Sequence, residues 1–127
     1  MAQETILIVE DQPDIQMTMR LTLERSGYNV MQAADADQAF EALAKCTPDL
    51  ILLDLSLPKT SGWELLERIR SIPGLDATPV VVATGHVGEE VARRAGELGA
   101  NGFLAKPFDI GLLNETVKRS ISTEGRS

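Results

Sequence analysis

Two kinds of apolar pattern alternate along this chain. Short runs rich in apolar residues have the character of buried strands; they cover residues 5–9, 29–33, 50–53, 80–83 and 103–105. After each run, apolar side chains recur every three or four residues, as they do on one face of a helix. These segments predict five helices, whose apolar faces run from Ile15 to Leu23, Ala36 to Ala44, Leu65 to Ile72, Val91 to Leu98, and Leu113 to Ile121.

Strand and helix therefore follow each other five times, with helix-breaking residues such as Gly27, Pro48 and Pro73 at the junctions. Regular alternation with short connections predicts an α/β fold of three layers, with helices on both faces of a doubly wound parallel (βα)5 sheet. The 127 residues suit a single domain, 1–127, with a polar and frayed tail from about residue 122.

The net charge of the chain limits the classes of partner that it is expected to bind. A net charge of −7 and a pI near 4.6 disfavour nucleic acid and anionic membranes, which bind clustered Lys and Arg, so we expect protein partners. The single cysteine, Cys46, cannot form an internal disulfide, and no secretion signal is recognisable; both features predict a cytoplasmic protein with Cys46 as a half-buried, inert thiol. No apolar run reaches the roughly 20 residues of a membrane helix.

Polar side chains stand where four of the five predicted strands end: Glu10 and Asp11, Asp54, Thr84, and Lys106. In an open parallel sheet, ligands bind beyond the carboxyl ends of the strands, so these groups are expected to meet. Carboxylates 4 Å apart repel each other by about 4 kcal/mol per pair at an effective dielectric of about 20, which requires a cation. Oxygen ligands without His or Cys favour Mg²⁺.

The same groups suit phosphoryl transfer. Lys106 and the Thr84 hydroxyl can each donate to a carboxylate or phosphoryl oxygen, and an aspartate can itself be the nucleophile and form an aspartyl phosphate. Each residue alone also has a structural explanation, for example Asp11 as a helix cap and Asp54 as the start of a turn. Those explanations do not require acids, a hydroxyl and a lysine at four separate strand ends.

These motifs resemble the receiver domain of bacterial two-component response regulators, in particular the single-domain, chemotaxis-regulator-like form. The matching positions are Glu10-Asp11, Asp54 to Pro58 with Gly62, Thr84, and Lys106-Pro107. The resemblance implies a flavodoxin-like sheet with strand order 2-1-3-4-5. It also implies that a sensor histidine kinase or a phosphotransfer protein phosphorylates Asp54, and that a downstream protein target responds.

The resemblance further implies a role for each site residue. The ligands of Mg²⁺ would be Asp11, Asp54, the backbone carbonyl of Ser56 and, through water, Glu10, which stands where Asp is commoner. Lys106 would pair with the acceptor and then with the phosphoryl group, and the Lys106–Pro107 peptide would be cis.

The switch between two states would be carried by Thr84 and Phe103, and it would alter the surface formed by helix four, strand five and helix five. Because Phe103 lacks the hydroxyl of Tyr, packing alone would set which of the two positions of its ring is favoured. We interpret His86 as a solvated loop residue that, with Ser56, tunes how fast water removes the phosphoryl group. Homodimerisation through helices four and five stays open.

Helix one carries a second apolar pair, Met17 and Leu21, opposite its core-facing stripe. Exposed Met and Leu indicate docking, so we predict that they select the kinase together with Arg20; the alternative is that this helix is buried more broadly. Trp63 is interpreted as a packing residue.

Two other functions remain open at this stage. One is a Mg²⁺-dependent phosphohydrolase with an aspartate nucleophile, but that class usually has a second Asp where this chain has Ser56, so we expect no true enzyme. The other is a phosphate-independent interaction module, which the intact Asp54, Thr84 and Lys106 disfavour. We expect a stand-alone regulator, although excision from a larger regulator is an open alternative.

Overall fold

Five parallel strands form one sheet in the order β2-β1-β3-β4-β5. The strands are β1 (Thr5–Val9), β2 (Asn29–Ala33), β3 (Leu50–Asp54), β4 (Val80–Thr84) and β5 (Gly102–Ala105). This computed structural model describes residues 3–56, 61–85, 89–107 and 109–124. The strand order and the α/β architecture expected from the sequence are confirmed.

A helix follows every strand: α1 (Pro13–Arg25), α2 (Ala36–Lys45), α3 (Gly62–Arg70), α4 (Glu89–Glu97) and α5 (Ile110–Glu124). Two helix ends differ from the sequence prediction. α3 ends at Arg70, and Ile72 lies in the turn that follows. The N–H of Ile72 donates to the carbonyl of Ile69. α5 runs to Glu124, past the tail expected from residue 122.

The helices cover the sheet on both sides because successive strand residues point to opposite faces. One face packs against α1 and α5; its buried core comprises Ile6, Ile8, Met19, Leu23, Leu50, Leu52, Val81, Ala83, Leu104, Leu113 and Val117. The other face packs against α2, α3 and α4, with a core that includes Leu7, Val9, Ile51, Leu53, Leu65, Leu66, Ile69, Val82 and Ala95. Every residue of β3 and β4 is buried, as expected for central parallel strands.

Several surface predictions are decided by burial. Met17 and Leu21 are 53% and 42% exposed, so the prediction of a solvent-facing apolar pair is confirmed and broader burial of α1 is wrong. Cys46 is an exposed free thiol, not a half-buried one, because it lies just past the C-terminus of α2 in a segment that leaves the core. Within the described part of the chain, no helix has the length and apolar character needed to cross a bilayer.

Candidate phosphoacceptor site

The register of the two central strands brings two acids together. β1 and β3 are parallel neighbours in which Val9 lies opposite Leu53. Because both strands run in the same direction, the next residue of each, Glu10 and Asp54, emerges at the same edge of the sheet. Asp54 is itself the last residue of β3. The strand order therefore places the first two sequence motifs, which follow β1 and β3, side by side, as the family resemblance implied.

The hydroxyl and the lysine reach this edge from the other side of β3. β4 pairs with β3 so that Ala83 lies opposite Asp54, and Thr84 ends β4. In the next strand Ala105 lies opposite Thr84, and the N–H of Lys106 donates to the Thr84 carbonyl at 2.8 Å. All four strand ends singled out in the sequence thus meet at one edge.

Three carboxylates form a cluster that fits a divalent cation. Glu10, Asp11 and Asp54 each offer an oxygen atom, and these oxygens lie within 4.8 Å of one another. Glu10 and Asp54 are buried, at 1% and 4% exposure, and Asp11 is the more exposed member. Buried like charges at this distance need a positive partner. An all-oxygen donor set is the one that Mg²⁺ prefers, so the residues present fit this ion.

Lys106 supplies positive charge to the cluster. Its Nζ lies 2.7 Å from Oε1 of Glu10 and 3.4 Å from Oδ2 of Asp54. The closer partner is therefore Glu10, whereas the family pattern had suggested the acceptor. The physical reason is reach, since Glu extends one methylene further than the Asp that is commoner at this position.

The pKa values of this pair reflect both burial and pairing. Burial raises the pKa of Glu10 above its ordinary value, the hydrogen bond from Lys106 works against this, and the nearby charge of Asp54 adds to it. Burial alone would lower the pKa of Lys106, but its hydrogen bond to Glu10 and the charges of Glu10 and Asp54 raise it overall. Lys106 is therefore held as a cation beside the cluster.

The simpler explanations of the two aspartates can now be judged. Gln12 is the N-cap residue of α1, and its side chain makes no cap hydrogen bond. The interpretation of Asp11 as the helix cap is therefore wrong. The turn interpretation of Asp54 is partly right, because its Oδ1 accepts the Ser56 N–H at 3.0 Å. The other carboxylate oxygen of Asp54 faces Lys106, so forming a turn does not exhaust the function of this side chain.

Gly62 is required at the start of α3 by a close contact that the sequence motif alone did not explain. A Cβ atom placed on Gly62 would lie 2.5 Å from the carbonyl oxygen of Asp54, and the Gly62 N–H donates to the carbonyl of Leu55 at 3.2 Å. Only glycine allows the helix to begin this close to the strand end. The N-terminus of α3 is thereby held against the backbone of Asp54.

A cleft opens beside the end of β3 between α3 and α4. It has a volume of about 280 Å³ and is lined, among the described residues, by Leu55, Ser56, Trp63, Thr84, Glu90, Val91 and Arg94. Across it, the Arg94 guanidinium lies 4.4 Å from the centroid of the Trp63 ring. Sequence reasoning treated Trp63 as packing and did not single out Arg94, because no local pattern shows which side chains of two helices will meet.

The remaining predicted residues are located as follows. Phe103 is partly buried in β5 and packs against the core cluster on the α3 and α4 side. The Lys106–Pro107 peptide is cis, as the family pattern implied. His86 and Pro58 lie outside the described residues. The roles of Thr84, Ser56 and Phe103 in switching or tuning stay predictions.

Comparison with known proteins identifies a matching family and several relatives. The family model described as "Response regulator receiver domain" matches residues 6–118. The sporulation initiation phosphotransferase F of Bacillus subtilis is 36% identical over 119 residues, which cover 94% of both chains. The phosphate regulon regulatory protein PhoB of Pseudomonas aeruginosa is 36% identical over 108 residues, 85% of this chain and 47% of that protein. Among solved structures, the chemotaxis protein CheY4 of Vibrio cholerae superposes with a TM-score of 0.90 at 30% identity, covering 94% of this chain and 99% of that one.

Proposed function

Because the chain belongs to the response regulator receiver family, we propose that it is a phosphoacceptor switch in which a histidine kinase or phosphotransfer protein phosphorylates Asp54. The observation that carries the proposal is the environment of this carboxylate. It is 4% exposed, shares its site with two further acids within 4.8 Å, and has an ammonium group 3.4 Å away. A buried acid in such surroundings is positioned to act as a nucleophile rather than as a surface charge.

The transfer we propose is a displacement at phosphorus. An oxygen of Asp54 attacks the phosphorus of a phosphohistidine, the phosphorus–nitrogen bond breaks, and the leaving imidazole keeps the electron pair and gains a proton from solvent. Lys106 donates to an oxygen of the transferred group, and the Thr84 hydroxyl, at the end of the adjacent strand, donates to another. Asp11, Asp54 and the Ser56 carbonyl, together with Glu10 through water, would hold Mg²⁺, which when bound would offset the negative charge of the phosphoryl oxygens.

The output side of the proposal concerns Thr84 and Phe103. Movement of the Thr84 hydroxyl onto the phosphoryl group would leave space into which Phe103 turns, changing the face formed by α4, β5 and α5 for a downstream protein target. The partly buried state of Phe103 supports this assignment, because such a ring can pack in either of two positions. Ser56, and His86 by sequence, would border the phosphoryl group and set its lifetime. The signalling would take place in the cytoplasm.

The input side uses the outer surface of α1. Met17 and Leu21 are exposed there, and a groove of about 490 Å³ runs between α1 and the end of β5, lined by Asp14, Ile15, Thr18, Gly85, Lys106 and Pro107. A partner that binds the apolar pair would thus lie within reach of Lys106 and the acceptor. The name of the Bacillus relative, a phosphotransferase, supports a donor that works through phosphoryl transfer.

The docking part is tested with Met17→Glu. A charge at this position should slow transfer from a phosphorylated phosphotransfer domain at least tenfold, because the apolar contact is lost, while phosphorylation by acetyl phosphate stays unchanged. Met17→Leu keeps the apolar surface and serves as the matched control. Equal transfer to the Glu and Leu variants would show that α1 does not contact the donor at this residue.

The alternatives predict different behaviour. A phosphohydrolase would turn over a phosphate ester many times per protein molecule, whereas a receiver retains one phosphoryl group and loses it slowly. The residue two places after Asp54 is Ser56, so this position supplies no carboxylate as general acid or base. We therefore propose a signalling domain that is not an enzyme acting on a separate substrate. A phosphate-independent module would not need the buried acids or the lysine that contacts them.

The acceptor chemistry is tested by intact mass after incubation with acetyl phosphate and Mg²⁺. The unmodified sequence should gain one phosphate, and Asp54→Asn should gain none, because the amide cannot act as the nucleophile. Omission of Mg²⁺ should abolish the gain. A gain of phosphate by the Asn variant would refute Asp54 as the acceptor.

A further inference from the structure

α4 is weakly anchored to the core. Of its residues, all of which the structure describes, only Ala95 is buried, with Val91 partly buried against the same cluster. α3, a helix of the same length, buries Gly62, Leu65, Leu66 and Ile69. Since buried apolar area is the main force that fixes a helix on a sheet, the position of α4 depends strongly on contacts outside the core.

The Arg94–Trp63 stack is such a contact. The guanidinium of Arg94 lies over the Trp63 ring at 4.4 Å from its centroid, a distance typical of a cation–π interaction. The neighbouring Arg93 behaves differently, because its ion pairs are with Glu90 and Glu97 of the same helix. Arg94 thus joins α4 to α3, whereas those ion pairs of Arg93 lie within α4.

Trp63 is coupled to the phosphoacceptor through its neighbour in sequence. Gly62 packs directly against the carbonyl oxygen of Asp54, which leaves the first turn of α3 little freedom to move relative to the end of β3. The stack therefore connects α4 to the backbone of the acceptor residue. It also bounds the cleft beside Ser56 and Thr84, which is the space next to the hydroxyl expected to move on phosphorylation.

We propose that the Arg94–Trp63 stack holds α4 against α3 in the unphosphorylated protein and is released when Asp54 is phosphorylated. The inference rests on the proposed function, because it assumes that Asp54 accepts the phosphoryl group. Breaking the stack by mutation then removes a contact that only the unphosphorylated state makes. By linkage, a ligand that favours the phosphorylated state must bind such a variant more tightly.

The test is a titration with beryllium fluoride, a mimic of the phosphoryl group, in the presence of Mg²⁺ and followed by calorimetry. Arg94→Ala should bind it about two- to fivefold more tightly, the factor that corresponds to an exposed cation–π pair. Arg93→Ala is the matched control on the same helix. Arg68→Ala is the second control. Arg68 stacks on Phe40 at 4.5 Å, so this substitution removes a comparable contact that does not involve α4. Both controls should bind with the original affinity.

A second variant shows whether the effect passes through the ring. Trp63→Leu should tighten binding by the same factor as Arg94→Ala, and the double variant should show no additional gain, because the two changes remove one shared contact. In the unmodified sequence, emission from Trp63, the single tryptophan, should change on binding, and in Arg94→Ala that change should be largely lost. Thermal unfolding of each variant verifies that it is folded.

The possible failures are distinguishable. If the unmodified protein binds no beryllium fluoride and gains no phosphate, the proposed acceptor function is refuted. If it binds and Arg94→Ala binds with the same affinity as Arg93→Ala, the stack does not discriminate between the two states and the inference is overturned. Additive effects of the Arg94 and Trp63 substitutions would also overturn it.

Discussion

Glu10 determines much of the charge balance in the carboxylate cluster around Asp54. Its carboxylate is wholly buried and uses both oxygens: Oε1 accepts from Lys106 at 2.7 Å, and Oε2 accepts from the Gln12 N–H at 3.2 Å. The backbone is fixed as well, since the Glu10 N–H donates to the carbonyl of Ala33 at 3.0 Å. Three carboxylates and one ammonium leave a net charge of about −2 at the cluster when all are ionised, which a divalent cation neutralises.

Glu10→Gln tests this balance. The amide keeps the shape of the side chain but removes one negative charge, so the affinity for Mg²⁺ should fall about tenfold, as is common for residues that support a metal ligand set. Calorimetric titration with Mg²⁺ measures the change. Asp14→Asn, an acidic residue of α1 outside the cluster, is the control and should change the affinity by less than about twofold. Equal losses in the two variants would mean that Glu10 acts only through overall charge.

Tyr28 provides a pH prediction remote from the acceptor. Burial raises its pKa above 10.0, and the nearby charge of Glu4 raises it further. The unfolded chain therefore releases the phenolic proton first, so the free energy of unfolding should decrease as the pH rises from 10.0 through the folded-state pKa. Tyr28 is the single tyrosine, and its phenolate absorbance reports the midpoint directly. Glu4→Gln should lower that midpoint; a midpoint at or below 10.0 in the unmodified protein would contradict the assigned environment.

At the scale of the secondary structure elements, the periodic patterns were sufficient to predict each strand and helix, whereas their ends were less certain. Ile72 continues the apolar spacing of α3, yet the helix ends at Arg70. The side chain of Arg70 donates to the carbonyl oxygens of Leu75 and Thr78 in the loop that follows. Residues 122–124 are polar but contain no helix breaker, and the first glycine after them is Gly125. α5 accordingly continues to Glu124. Polar composition is thus a weaker signal for a helix end than a glycine or proline.

Gly62→Ala tests how the start of α3 is held against β3. The added methyl group would meet the backbone of Asp54 and Leu55, so the free energy of unfolding should fall by about 1–3 kcal/mol, as for overpacking in a core. Gly96→Ala is the matched control, because nothing lies within 4 Å of a Cβ there. Gly96 lies in the last turn of α4, where this change should stabilise the protein by at most about 0.5–1 kcal/mol. Denaturant unfolding distinguishes the two; a stabilising Gly62→Ala would contradict the close contact.

The sequence predicted the site unevenly, for a physical reason. The convergence of Glu10, Asp54, Thr84 and Lys106 follows from strand order and from the direction of parallel strands, both of which the alternation of elements and the family pattern indicate. The pairing of Lys106 with Glu10, and of Arg94 with Trp63, depends on side-chain reach across elements that are distant in sequence. No local pattern contains that information, so these contacts became visible only in the folded structure.

At the scale of the whole molecule, the two edges of the sheet have separate tasks. The carboxyl edge carries the carboxylate cluster with Asp54, and the opposite edge is held together by Arg70 at the end of α3. Its guanidinium donates to the carbonyl oxygens of Leu75, Thr78 and Gly99 and to the side chain of Asn101, with most of these distances at 2.7 Å. The Asn101 oxygen also accepts the N–H of the first residue of β4 at 2.9 Å. One arginine thus connects α3 with the starts of β4 and β5.

Arg70→Met should therefore destabilise the fold without altering the acceptor. Loss of several charge-assisted hydrogen bonds, at a half-buried position, is expected to lower the free energy of unfolding by about 2–4 kcal/mol. Arg68→Met, an exposed arginine of the same helix that stacks on Phe40, should lose about 1 kcal/mol or less. The affinity for Mg²⁺ should be unchanged in both. A loss of Mg²⁺ binding in a folded Arg70→Met variant would contradict the separation of the two edges.

The central claim is that residue 54 becomes an acyl phosphate, and reductive trapping examines that bond itself. Borohydride converts an aspartyl phosphate to homoserine, so the protein is phosphorylated with acetyl phosphate and Mg²⁺, reduced, digested and analysed by peptide mass spectrometry. The account predicts homoserine at position 54. It should form only in samples that were first phosphorylated with acetyl phosphate and Mg²⁺ and then reduced with borohydride. Homoserine at another aspartate, or an unreduced Asp54 in protein that carries one phosphate, would contradict it.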